Sequence, residues 1–191
     1  HNFEPTVIDE MIDKEIKYSL ENNLGRSFLF HGRPGTGKTN YIRNIFLNPQ
    51  YGLGAIQLTS GHLSSIEQLL KNSSFGNYKF IVLDDIDSFT FDNNQIFFLI
   101  DQLKSMGKII LSTANILGEL PAPLLRPGRF DRLIEINKLP THVIKTLTGG
   151  DEKLYEDLSD RTAAEIQEFM FRVNLHGAEK AYMEMDEIMN R

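Results

Sequence analysis

The sequence contains no cysteine, so neither a disulfide framework nor a thiolate metal site is available to it, and cysteine usage gives no reading of the redox compartment. It has no run approaching the roughly 18 uninterrupted apolar residues that a membrane-spanning helix needs, and no secretory pattern opens it. A soluble, intracellular protein is the expectation. Its five histidines, His1, His31, His62, His142 and His176, show no ligand spacing. A basic surplus is missing too. Residues 1–150 carry 15 acidic and 15 basic side chains, and residues 151–191 carry 11 acidic against 5 basic, so the net charge of −6 lies wholly in the tail. Nucleic-acid binding is therefore not expected. No internal repeat or low-complexity tract interrupts the chain, which opens on His1 rather than Met and so reads as a trimmed or mature fragment.

What is present suffices for one substantial core, since 41% of 191 residues are hydrophobic. Val7, Ile8, Met11, Ile12, Ile16 and Leu20 recur at helical spacing behind Thr6 as a cap, predicting an N-terminal helix that Asn22 and Asn23 end. Five short apolar runs follow, at 27–30, 55–59, 80–83, 108–113 and 132–136, alternating with helical patterns near 38–47, 63–72 and 94–105. Strands this apolar, separated by helices, predict an α/β fold with a five-stranded parallel sheet flanked by helices on both faces. Phe97 and Phe98, with Ile96, Leu99 and Ile100, read as a helix face packed on that sheet. After 137–140 the strand signal stops, and short helices are predicted at 140–147, 151–158, 162–173 and 176–189, with Met183, Met185 and Met189 as packing residues. The chain divides on this reading into an α/β body with its N-terminal helix, 1–138, and a small C-terminal helical lid, 139–191.

Directly after the first strand come Gly32, Arg33, Pro34, Gly35, Thr36, Gly37, Lys38 and Thr39, which fit the phosphate-loop pattern G-x-x-x-x-G-K-[ST] without a mismatch. A triphosphate brings several negative charges that main-chain N–H groups must meet at close range. Glycines allow that approach, and the start of the following helix adds unpaired N–H groups and a favourable dipole. Lys38 would reach the β- and γ-phosphates, and Thr39 would offer its hydroxyl to Mg²⁺. At the carboxyl end of the third strand stand Asp84 and Asp85, a pair that is costly unless something cationic joins it. Nucleotide-bound Mg²⁺ is the candidate, with Asp84 holding the metal and Asp85 orienting or deprotonating an attacking water. Asp87 reads as structural. Further on, the stretch LLRPGRFDR sets Arg126, Arg129 and Arg132 around a Pro-Gly turn.

With the phosphate loop, FIVLDDID and STANILGELPAPLLRPGRFDR in this order, the chain resembles the AAA clade of ring-forming P-loop ATPases over about residues 24–190. The resemblance implies ATP hydrolysis with Mg²⁺ in a homo-oligomeric ring, a hexamer or heptamer, acting on a macromolecular partner, most simply a protein. It makes Asn115 the polar sensor that helps place the water, and Arg126 and Arg129 the arginines inserted into a neighbouring subunit's site. Arg132 keeps a structural role. The stretches AIQLTSGHLSSIEQLLKN and LSDRTAAEIQEFMFRVNLHGAEKAYMEM are similar to the branch that includes the mitochondrial respiratory complex III assembly ATPases, and this likeness would set Ala163 and Ala164 near the adenine.

Two departures qualify the resemblance. The usual acidic pair is Asp-Glu, whereas here it is Asp84-Asp85, which predicts slow hydrolysis because the second carboxylate is set back by one methylene. SGHLSS holds no aromatic residue of the kind by which many relatives grip an extended polypeptide, so threading of unfolded protein is not expected. The alternatives are an ATP-binding oligomeric scaffold with slow or no hydrolysis, and a P-loop small-molecule kinase.

Overall fold

The computed structural model describes residues 9–63, 65–89, 92–139 and 141–185. Its elements follow the apolar runs. Helix α1 (Glu10–Glu21) starts behind Asp9, whose carboxylate accepts from the N–H groups of Met11 and Ile12 and so satisfies two of the helix's orphan donors. Asp9, and not Thr6, is therefore the cap; Thr6, Val7 and Ile8 lie outside the described residues. The helix buries Ile12, Ile16 and Ser19 on one face.

Strand β1 (Arg26–His31) leads to α2 (Lys38–Phe46), β2 (Gly54–Gln57), α3 (Ser60–Leu63), α4 (Ile66–Lys71), β3 (Tyr78–Leu83), α5 (Asn93–Ser105), β4 (Ile109–Ala114) and β5 (Arg132–Glu135). The helix expected over 63–72 is α4, with Ser65 at its N-cap position, and the separate short α3 precedes it. The five strands form one parallel sheet in the order β2-β3-β4-β1-β5. Central β4 is buried along its whole length, as is expected of a strand covered on both faces. Ile96, Leu99, Ile100 and Leu103 of α5 pack on Leu29, Ile81, Leu83 and Ile110, each fully buried. Burial of each such side chain contributes about 1.5–3 kcal/mol. Of the two adjacent aromatics on α5, Phe97 is half-buried at the edge of this cluster, while Phe98 is exposed and does not pack on the sheet as expected.

The remaining helices are α6 (Thr141–Leu147), α7 (Glu152–Asp157), α8 (Ala163–His176) and α9 (Ala178–Met183). Their own core is Leu139, Ile144, Leu154, Leu158, Ile166 and Phe169 with Ala181. A capping box starts α8: the Thr162 hydroxyl accepts from the Glu165 N–H, and the Glu165 carboxylate accepts from the Thr162 N–H. Burial and the nearby Asp157, to which its hydroxyl donates at 2.6 Å, push the Tyr182 phenol up to about 12. Met185 packs against this core, but Met183 is exposed, a correction to its expected role; Met189 lies outside the described residues.

By compactness the chain divides into two units, His1–Gly32 with Lys38–Glu135, and Arg33–Gly37 with Ile136–Arg191. The middle of the glycine loop thus groups with the helical segment. Among the described residues, no helix is long and apolar enough to cross a membrane.

Candidate functional site

In the α/β unit the conspicuous side chains gather at the carboxyl ends of β1, β3 and β4, the edge at which open α/β sheets bind ligands. Lys38, the first residue of α2, turns back so that its ammonium donates to the Gly32 carbonyl and to Asn115 Oδ1, both at 2.8 Å. It is only 5% exposed. Burial lowers its pKa below the ordinary 10.5, and the nearby carboxylates of Asp85, Asp87 and Asp84 partly offset that shift. One residue on, the Thr39 hydroxyl donates to Asp84 Oδ1 at 3.0 Å.

Asp84 follows the last residue of β3 and is met from the other side by β4. The Thr113 hydroxyl donates to the same Oδ1 at 2.6 Å, and its oxygen accepts the Asp85 N–H at 2.7 Å. One hydroxyl therefore fixes both members of the acidic pair. Asp85 adopts left-handed angles, φ +51° and ψ +50°, which a short polar side chain tolerates better than most. Its Oδ1 lies 3.3 Å from Asn115 Nδ2. The Asn115 amide thus spans the ammonium of Lys38 on its oxygen side and the carboxylate of Asp85 on its nitrogen side. Asn115 is itself held by Asp87, whose Oδ2 accepts from the N–H groups of Asn115 at 2.8 Å and Ile116 at 3.0 Å. The other oxygen of Asp87 is buried and has no hydrogen-bond partner among the described residues.

The donor set fits Mg²⁺. The Thr39 hydroxyl and the Asp84 carboxylate are hard oxygen ligands within 3.0 Å of each other, which suits an ion that keeps several waters and takes only one or two protein ligands.

In the helical unit, the carbonyl of Gly35 accepts from the N–H of Ala163 at 3.0 Å. Gly35 has φ +76°, and a Cβ there would lie 3.0 Å from Thr162 Cβ, so glycine is required for both conformation and space. The Thr36 hydroxyl donates to the Arg33 carbonyl at 2.9 Å, and Arg33 Nη2 donates to the Asp160 carbonyl at 3.2 Å. Ala163 is half-buried at the start of α8 and Ala164 is exposed.

The arginines of the Pro-Gly turn differ sharply. Arg126 is exposed, and its side chain makes no hydrogen bond or ion pair among the described residues. Arg129 stacks on Phe97, its guanidinium carbon 4.0 Å from the ring centroid, and Nη1 donates to the Pro123 carbonyl at 3.2 Å. Arg132 pairs with Glu15 at 3.4 Å, in keeping with a structural role.

The structure thus brings Lys38, Thr39, Asp84, Asp85 and Asn115 into one hydrogen-bonded network. It adds Thr113, which sequence reading passed over as strand filler, and gives Asp87 a definite task. The signal for Thr113 was a hydroxyl near the end of a largely apolar strand; the signal for Asp87 was a third carboxylate two positions beyond the pair.

The chain matches the family model described as "ATPase family associated with various cellular activities (AAA)" over residues 28–138, more than half its length. It is 31% identical over 154 residues to a protein of Plasmodium falciparum named as a cell division cycle ATPase, covering 68% of this chain and 12% of that one. With a protein of Arabidopsis thaliana named as an AAA-ATPase it shares 28% identity over 179 residues, covering 82% of this chain and 38% of the relative. The chain therefore spans well under half the length of these relatives. Among solved structures it is similar to a DNA replication initiation factor, with a TM-score of 0.63 and 19% identity over 96% of this chain and 66% of the other, a likeness of fold.

Proposed function

The chain belongs to the ATPase family associated with various cellular activities, and from that premise we propose that it hydrolyses ATP to ADP and phosphate within a homo-oligomeric ring of six or seven copies, to remodel or move a macromolecular partner, a protein. The observation that carries this reading is the single network joining Lys38, Thr39, Asp84, Asp85 and Asn115. The Gly32 carbonyl and Asn115 Oδ1 that Lys38 meets are oxygen partners that a β- or γ-phosphate can replace, and a phosphate anion would restore the proton affinity that burial takes away. Main-chain N–H groups of the loop, including those of Gly35, Gly37 and Lys38, would cradle the phosphates. Thr39 and Asp84 would hold Mg²⁺, which, when bound, neutralises charge on the β- and γ-phosphates.

Asp85, aligned by the Thr113 hydroxyl and the Asn115 amide, takes the proton of the attacking water or fixes its direction. Asn115 stands between that water and Lys38. Ala163 and Ala164, at the start of α8, offer small side chains where a flat base can approach. Arg126, exposed at its turn, would enter the neighbouring copy's site and stabilise charge on the transferring phosphoryl group, a contribution of about 10³–10⁵ in rate where such arginines act.

A second reading, an ATP-gated oligomeric scaffold with little turnover, is favoured by the short side chain of Asp85. Phosphate release from the wild type, Lys38→Ala and Asp85→Glu, together with binding of a labelled ATP analogue, separates the two. Hydrolysis predicts measurable wild-type release, no binding by Lys38→Ala, and release raised about ten- to a hundredfold in Asp85→Glu as the carboxylate moves forward. ATP binding without release in either the wild type or Asp85→Glu would favour the scaffold.

A further inference from the structure

The turn that carries the exposed Arg126 is fastened to its own chain at several points. Behind it, the carbonyl of Gly128 accepts from Lys104 of α5 at 2.7 Å, and the carbonyl of Arg129 accepts from the Ser27 hydroxyl of β1. Phe130 is buried, and its N–H donates to the Leu124 carbonyl at 3.2 Å. The side chain of Arg129 closes the remaining gap. Its guanidinium carbon lies over the Phe97 ring of α5, 4.0 Å from the centroid, and Nη1 reaches the Pro123 carbonyl in the short helical turn Ala122–Leu125, just ahead of Arg126. Arg129 Nε is buried, 3.9 Å from Asp101 Oδ1 and so just beyond hydrogen-bond reach of that carboxylate on the same helix. One guanidinium therefore ties α5 to the segment that leads into Arg126.

From this geometry we infer that Arg129 is a positioning residue, clamped between Phe97 and the Pro123 carbonyl of its own chain, and that Arg126 alone supplies the charge that leaves the subunit. This inference rests on the ring ATPase reading for its functional half and on intrachain contacts for its structural half. To extend outward, Arg129 would surrender its contact with an aromatic ring and its bond to the Pro123 carbonyl together. Arg126 surrenders nothing of the kind. The pairing also fits the place of Phe97 at the edge of the core, where it packs against the apolar cluster and meets a cation. A planar guanidinium suits that position because it can stack and donate in its own plane at once.

The test uses Phe97→Leu, which keeps apolar volume but removes the π face, with Arg129→Ala, Arg129→Lys, the Phe97→Leu/Arg129→Ala double variant and Arg126→Ala. Unfolding midpoints and steady-state phosphate release are measured for each. In the clamp account, Phe97→Leu and Arg129→Ala both lower the midpoint, and the double variant lies well above the sum of their separate losses. Each lowers kcat by about ten- to a hundredfold through misplacement of Arg126, with the KM for ATP within about twofold of wild type. Arg129→Lys, which keeps a stacked cation, recovers part of that loss. Arg126→Ala abolishes release and leaves the midpoint unchanged. The inference is overturned if Arg129→Ala and Arg129→Lys abolish release while Phe97→Leu turns over at the wild-type rate, since Arg129 would then act directly. Additive midpoint losses would overturn it as well. A wild type that binds ATP but releases no phosphate would count against the hydrolysis reading alone, because the midpoint cycle still decides whether the clamp exists.

Discussion

A single hydroxyl organises the acidic end of β3. Thr113 donates to Asp84 and accepts from the Asp85 N–H, so both carboxylates inherit their positions from one side chain on the neighbouring strand. Replacing it by valine keeps the β-branched shape but leaves an N–H and a carboxylate oxygen short of a partner. Thr113→Val is therefore expected to cost about 1–3 kcal/mol in chemical unfolding and to lower phosphate release, whereas Thr113→Ser, which keeps the hydroxyl, retains most of both. Equal behaviour of the two variants would remove Thr113 from the account. The residues with a fixed sequence spacing, Gly32 to Thr39 and the Asp84-Asp85 pair, were legible because chain neighbours dictate their placement. Thr113 was not, since its importance arises from the lateral pairing that sets Leu83 opposite Ser112, and no local pattern reports which strands will be neighbours. Arg129 was illegible for the same kind of reason. Whether an arginine beside a turn points outward or folds onto its own chain depends on Phe97, 32 positions earlier in the sequence.

At the scale of elements, β1, β3 and β4 were readable because burial on both faces demands unbroken apolar runs, and the start of α8 carries the box formed by Thr162 and Glu165. Two anchors of the sheet were not. Lys108, immediately before β4, is 2% exposed, and its ammonium donates to the carbonyls of Phe75, Gly76 and Tyr78 at 3.2, 3.1 and 2.6 Å. Burial pulls its pKa below the ordinary lysine value, and the nearby Lys79 adds to the shift. Lys108→Met matches the length but leaves three carbonyls without their donor. The α/β unit should then unfold about 6–12 °C earlier, as expected for a loss near 3 kcal/mol in a chain of this size; an unchanged midpoint would show that the cradle is inconsequential.

The second anchor is Asp131. Burial by itself would raise its pKa, but bonds from Lys104 and from the hydroxyl and N–H of Ser27 hold the carboxyl below the usual range. Because the folded pKa is depressed, the stabilisation is present above the unfolded value and is lost as pH falls through the folded one. Urea midpoints of the wild type should accordingly drop on acidification below about pH 4, and Asp131→Asn should show a lower midpoint at neutral pH with a shallower acid slope. Parallel slopes in the two proteins would exclude this contribution.

On the scale of the whole molecule, the sheet and the helical segment have separate cores, and the negative excess resides in residues 151–191. The α/β unit supplies Lys38, Thr39, Asp84, Asp85 and Asn115, yet its exposed Arg126 makes no hydrogen bond or ion pair among the described residues. An unpartnered cation on a turn fixed by Lys104 and Ser27 is what a shared site would require from each copy. Mixing two inactive variants tests that most directly: Lys38→Ala, unable to bind ATP, and Arg126→Ala, able to bind but lacking the donated charge. If sites are completed between copies, an Arg126→Ala subunit that binds ATP receives Arg126 from a Lys38→Ala neighbour, and phosphate release rises well above either protein alone and increases with total concentration. Release by Arg126→Ala at the wild-type rate, independent of concentration and unaltered by mixing, would contradict the account.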